Sequence, residues 1–240
     1  MVGHSKLKAT SWVGAAILAG FGLFSLGAKS AGDAPTKIPH LVVERLDVVE
    51  PDGTLRTVIY SKARDPQIVV RGKTYPHPSR TQSGMLFYND EGTEVGGLVF
   101  AGSKDAEGNR GSGGSLTFDA YEQDQIVRVL GYRQNGEGVS GIDVSDRPDE
   151  PMDFDRMTAL AEAKSDEERQ RIAEEANFSG TDRAFFGRAW NEDSTVVLRD
   201  GEGRKRLVMR VGAAGDAEIQ FLNEAGEVTR TIGPDELDAG

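Results

Sequence analysis

FYNDEGTEVGGLVF, residues Phe87 to Phe100, sets three acids and an asparagine between two apolar runs. Two chemistries compete for the middle of it. Asn89, Asp90 and Glu94 carry the hard oxygens that calcium takes. The same letters are also turn letters: Asn and Asp hydrogen-bond their own backbone, and Gly92 supplies the positive φ of a tight reversal. The spacing departs from the Asp-x-Asp-x-Asp-Gly run of an EF-hand loop. A turn between two strands is therefore the first reading, with a calcium ion on Asn89, Asp90 and Glu94 as the alternative.

The pattern recurs along the chain. Leu46–Arg56 turns at Asp52-Gly53, Thr195–Arg204 at Asp200-Gly201, and Ile219–Val228 near Asn223 and Gly226. Their flanks alternate with period two: Leu207, Met209 and Val211 share one face while Val208 and Arg210 take the other, and Ile219 and Phe221 oppose Glu218 and Gln220. From Gly53 to Gly92 is 39 residues and from Gly203 to Gly226 is 23, so no fixed period supports a solenoid or a propeller. The fold class that follows is mainly β: an antiparallel meander of hairpins, closing as a sandwich or a barrel.

Ala101–Gly114 (AGSKDAEGNRGSGG) is glycine-rich and is expected as a long flexible hairpin tip. It lacks the Gly-x-x-x-x-Gly-Lys-Ser/Thr order of a phosphate cradle. Leu116 and Phe118 then alternate with Thr117 as in a strand. The polar-aromatic turn after them makes Asp119, Tyr121, Gln123 and Asp124 the candidate ligand surface, pointing outward. Aromatic, amide and carboxylate groups together suit a sugar or a peptide. Pro148 to Pro151 breaks the strand pattern. Between Asp153 and Ala176 the spacing turns helical, and Ser165-x-x-Glu168 reads as a capping box opening a second helix. Residues 39–150 and 179–240 are thus expected as hairpins of one domain, interrupted by a two-helix insert at 151–178.

Composition narrows the chemistry. With no cysteine among 240 residues there is no disulfide, thiolate metal site or cysteine nucleophile. Outside residues 1–30 the chain holds 25 basic against 39 acidic side chains, a charge that repels phosphate backbones and argues against nucleic-acid binding. Gly-x-Ser-x-Gly, His-Glu-x-x-His and Gly-x-Gly-x-x-Gly are all missing, and His40 and His77 each sit beside a proline. Paired carboxylates for hydrolysis leave no local spacing rule, so a carbohydrate-active hydrolase using acids near Asp90, Asp119 and Asp124 stands as the alternative to a binding module.

The N-terminus reads as an export signal or an anchor. Lys6 and Lys8 precede Trp12–Ala28, an uncharged apolar run of 17 residues containing Trp12, Leu18, Phe21 and Phe24. That length lies at the lower edge of a membrane span, and the lysines keep the N-terminus in the cytoplasm and send the acidic body outward. Ala28 and Ser30 offer small residues for cleavage after Ser30. A small, polar, proline-bearing linker at 31–38 follows.

Arg45–Arg56, Gly84–Glu94 and Ser115–Gln125 together resemble a family of bacterial β-rich proteins with no assigned activity. The resemblance runs over residues 40–232. It implies a bacterial source, and with it an inner-membrane anchor with the body in the periplasm or outside the cell, or a secreted body if the signal is cleaved. It assigns no role to any residue. The expectation is an exported or membrane-anchored β module that binds or scaffolds a protein or glycan, without a cofactor unless calcium is taken.

Overall fold

The computed structural model describes residues 35–77 and 80–236. The expected membrane segment with Trp12, Leu18, Phe21 and Phe24 lies outside them, and among the described residues no helix is long and apolar enough to cross a membrane. Residues 35–41 carry no regular element, and Val42 onward forms one unit.

Strands β1 (Arg45–Val49) and β2 (Leu55–Tyr60) make the first hairpin, and β3 (Ile68–Val70) and β4 (Lys73–Tyr75) a separate two-stranded ribbon. Then come β5 (Ser83–Tyr88), β6 (Glu94–Lys104), β7 (Arg110–Asp119), β8 (Gln125–Gln134) and β9 (Glu137–Asp146). Helices α1 (Met157–Glu162) and α2 (Asp166–Glu175) precede β10 (Thr181–Arg188), β11 (Ser194–Arg199), β12 (Lys205–Val211), β13 (Ala217–Leu222) and β14 (Val228–Ile232).

Apart from β3 and β4, every strand joins one twelve-stranded antiparallel sheet in chain order. The meander is as expected, but the closure is not: β1 and β14 are the two edges, so among the described residues the sheet is open, neither a sandwich nor a barrel. The cause is local. Each reversal lays the next strand on the edge just made, and no long crossover carries the chain to a second layer. One hydrogen-bond pair builds most reversals. At Glu50, Asn89, Asp105, Ala120, Ala189, Asp200, Gly212 and Asn223 the amide donates to the carbonyl four residues on, while the carbonyl accepts from the amide three residues on. In the Asn89 turn the side chain joins in, its Oδ1 accepting from the amides of Glu91 (2.9 Å) and Thr93 (3.0 Å).

The glycine-rich run is a correction. Ala101–Gly114 is strand on both sides of a short turn at Asp105–Asn109, with Ala101 opposite Gly113 and Phe100 opposite Gly114. Glycine works in this ladder because neighbours occupy the space of the missing side chain. A Cβ on Gly113 would stand 2.4 Å from Cδ1 of Tyr132 and 2.7 Å from the Gly131 carbonyl oxygen.

The two faces of the sheet differ. One carries Val58, Tyr60, Leu86 and Tyr88, buried under Val69 of the β3–β4 ribbon. Ile68 and Val70 of that ribbon pack in turn on Met152, Leu160 and Ile172 of the helical insert. The insert sits where the capping box predicts, with Ser165 Oγ accepting from the Glu168 amide at 3.1 Å. On the other face a row of side-by-side residues crosses the whole sheet. It runs Leu46, Ile59, Met85, Leu98, Leu116 and Val129 from β1 to β8. It continues as Ile142, Phe186, Val196, Met209, Ile219 and Ile232 to β14.

Candidate functional site

A cleft of about 690 Å³ opens between the helical insert, the β3–β4 ribbon and the covered face of the sheet. Its polar end is built by residues distant in sequence. Glu94 opens β6, Asp119 closes β7, and Gln123 and Asp124 belong to the turn that follows. His77 and Arg80 arrive from the segment between β4 and β5.

That segment is tied down by its own polar groups. The Asp65 carboxylate accepts from the Gln67 amide (2.9 Å), Gln67 Oε1 accepts from the His77 amide (3.0 Å), and His77 Nδ1 accepts from the Arg80 amide (2.9 Å). Arg80 is thereby aimed inward. Its guanidinium pairs with Glu94, donates to the Gln67 carbonyl at 2.9 Å and lies 3.6 Å from Asp65. The side chains of Arg80 and Glu94 are only 8% and 12% exposed, so this is a buried ion pair and not a surface one.

Burial sets the protonation states. It pushes Asp119 up to about 8, with the nearby charges of Glu94 and Asp124 adding to the effect. The Glu94 carboxyl is also raised, first by burial, against the opposing pull of Arg80. His77 is driven down to about 4 by burial and then by the Arg80 charge, so it is neutral at pH 7. Tyr60 is pushed up to about 12 and Tyr88 also rises, both because burial disfavours the phenolate.

Several polar atoms here are covered yet unsatisfied. Glu94 Oε2, Asp119 Oδ1 and Gln123 Oε1 accept no hydrogen bond among the described residues, and the hydroxyls of Tyr60 and Tyr88 are likewise unpaired. Gln123 is otherwise well held: its Nε2 donates to the carbonyls of Glu150 (2.7 Å) and Asn177 (2.9 Å), which ties the turn to the insert. Asp124 faces Arg147 at 3.2 Å.

Of the expected ligand surface, Asp119, Gln123 and Asp124 come together, but they line the cleft and do not point outward, because the helical insert folds over them. Tyr121 is half exposed and stands apart from the cleft lining. Its hydroxyl accepts from Arg71 (2.9 Å) and donates to Glu91 (2.7 Å). The three residues of the calcium alternative are kept busy separately: Asn89 by its own turn, Asp90 by Arg56 at 2.6 Å, and Glu94 by Arg80. No group of three or more His, Asp or Glu side chains among the described residues is placed to hold a metal ion. Sequence reasoning did not find Arg80, Asp65, Tyr60 or Tyr88. A lone arginine in a proline-bearing segment carries no spacing signal, and the tyrosines read as ordinary strand residues.

No protein-family model, no curated protein and no solved structure matches the chain.

Proposed function

We propose that the chain is an exported or membrane-anchored binding module whose cleft takes a small polar ligand rich in O–H and N–H donors, of the sugar or peptide class. The observation that carries the reading is the set of covered acceptors at one end of the cleft: Glu94 Oε2, Asp119 Oδ1 and Gln123 Oε1. An unmet buried acceptor costs about 1–3 kcal/mol, so a partner that donates to it recovers that cost. The apolar wall from Ile68, Val70, Met152 and Phe154 suits the carbon skeleton of such a ligand.

A thermal-shift screen of the purified chain against oligosaccharides, peptidoglycan fragments, short peptides and divalent ions tests it. A ligand at 100 times its Kd contributes about 2.7 kcal/mol, a rise of several degrees in Tm. The shift is expected with a glycan or peptide, absent in Asp119→Ala, and retained in part by Asp119→Asn. A flat screen against all the glycans and peptides overturns the reading.

A hydrolase is the second reading, favoured by one observation: Glu94 and Asp119 share the cleft with both carboxyls raised. Asp119, protonated up to about pH 8, would be the general acid, and Glu94 the base or nucleophile. Against it, Glu94 is held by Arg80 in a buried ion pair, which engages the carboxylate that would act as base or nucleophile. Release of reducing ends from a ligand found in the screen, abolished by Glu94→Gln, would transfer the conclusion to this reading.

A further inference from the structure

We infer that the apolar face of the sheet, opposite the cleft, is the contact surface of a homodimer in which two copies stack face to face. The central row from Leu46 to Ile232 is apolar at all twelve strands. The next row on the same face includes Val48, Phe87, Phe118, Val144, Leu198 and Phe221, and its only charged member is Arg230 on the edge strand. Over β10 to β14 the reverse face is mixed: Phe185, Val197 and Val208 lie side by side there, but Gln220 and Thr231 continue that row and ion pairs such as Arg210 with Asp193 and Glu218 flank it. An antiparallel sheet with one polar and one apolar face expects the apolar one to be covered. Here it is open: Phe118 is 49% exposed, Phe186 63% and Met209 43%.

Size selects the occupant. Twelve strands spaced about 4.8 Å apart make a strip roughly 50 Å long. Its half-exposed side chains leave roughly 1,000 Å² of apolar surface, at ~150–250 Å² for each large one. A standard interface needs about 800 Å² per partner, and the largest patch on an ordinary monomer is about 300–600 Å². The other long apolar stretch of the chain, Trp12–Ala28, would span only about 25 Å as a helix. A small apolar molecule would fill the hollow of about 550 Å³ over Val196, Met209 and Ile219 and leave the strip bare elsewhere. A second copy matches the whole strip. A two-fold axis between the sheets, whether along the strip or along the strands, lays strip on strip, and the two layers then form the sandwich that one chain does not make.

The chain has no cysteine, so single replacements report contacts one at a time. The full chain is expressed in membranes with Leu98→Cys, Val129→Cys, Phe186→Cys or Met209→Cys, and treated with a short bismaleimide whose reach matches the ~10 Å between packed sheets. A species of twice the chain mass is expected from at least one of the four, and not from Thr231→Cys on the opposite face. Adding Val196→Glu, in the same row, to a cross-linking variant should remove that species while circular dichroism is unchanged. If that double variant loses its β spectrum, the single-cysteine comparison still decides. Overturning results are no homodimer from any of the four, equal cross-linking from Thr231→Cys, or adducts only of another mass.

Discussion

Asp119 and His77 line one cleft and titrate in opposite senses. Asp119 is raised from 3.8 to about 8, so its contribution to stability is complete below pH 4 and is lost as pH rises through 8. His77 is lowered from 6.5 to about 4, so its contribution is complete above pH 6.5 and is lost as pH falls through 4. Asp119→Asn removes the first and leaves the second. The variant should therefore gain on the wild type steadily from pH 4 to 8. Counting only half of the interval for Asp119, the gain is roughly 3 kcal/mol at the upper end. Urea unfolding of both proteins across that range measures it. Parallel stability curves would mean that the Asp119 carboxyl is hydrated like a surface acid.

At the scale of the strands, the glycines of β7 and β8 separate two roles that the sequence writes with one letter. Gly113 is crowded by Tyr132 and by the Gly131 carbonyl, whereas a Cβ on Gly131 meets nothing within 4 Å and its φ is not positive. Gly113→Ala should cost about 1–3 kcal/mol through displaced neighbours. Gly131→Ala should be neutral or slightly stabilising, because it restricts the unfolded chain. The difference in urea midpoint between the two variants checks the register of the β7–β8 pair. Equal midpoints would argue that Ala101–Gly114 behaves as the loop its composition resembles. The hairpins themselves were legible: Asp-Gly and Asn-x-x-Gly mark reversals, and Leu207, Met209 and Val211 do share a face. The glycine strands were not legible, because Gly111–Gly114 are held by β8 and Ala101–Lys104 by β7 in turn, a pairing that local propensity does not see.

The whole molecule is a row of strands in chain order, so most long-range packing joins neighbours. Truncation after Gly212, which removes β13 and β14, should leave β1 to β9 and their insert folded, since none of those strands pairs with the deleted ones. Circular dichroism and a cooperative thermal transition for the shortened chain would bear this out. Global unfolding would show that the C-terminal strands stabilise the cleft half through more than their neighbours.

The alternation of polar and apolar residues, the turn letters and the Ser165 cap are local properties, and by themselves they determined the hairpin strands outside the glycine-rich run and the β3–β4 ribbon, with their reversals, the meander and the helical insert. Closure was beyond them, because whether β14 meets β1 depends on how every intervening strand adds up. The cleft was equally out of reach. Arg80, Glu94 and Asp119 are joined only once the ribbon and the helices fold over one face, and burial there turns scattered ordinary charges into a shared site. Tertiary structure also decided which apolar face is covered: the alternation supplies two sides to the sheet, but only the path of the inserts leaves the Leu46–Ile232 row open.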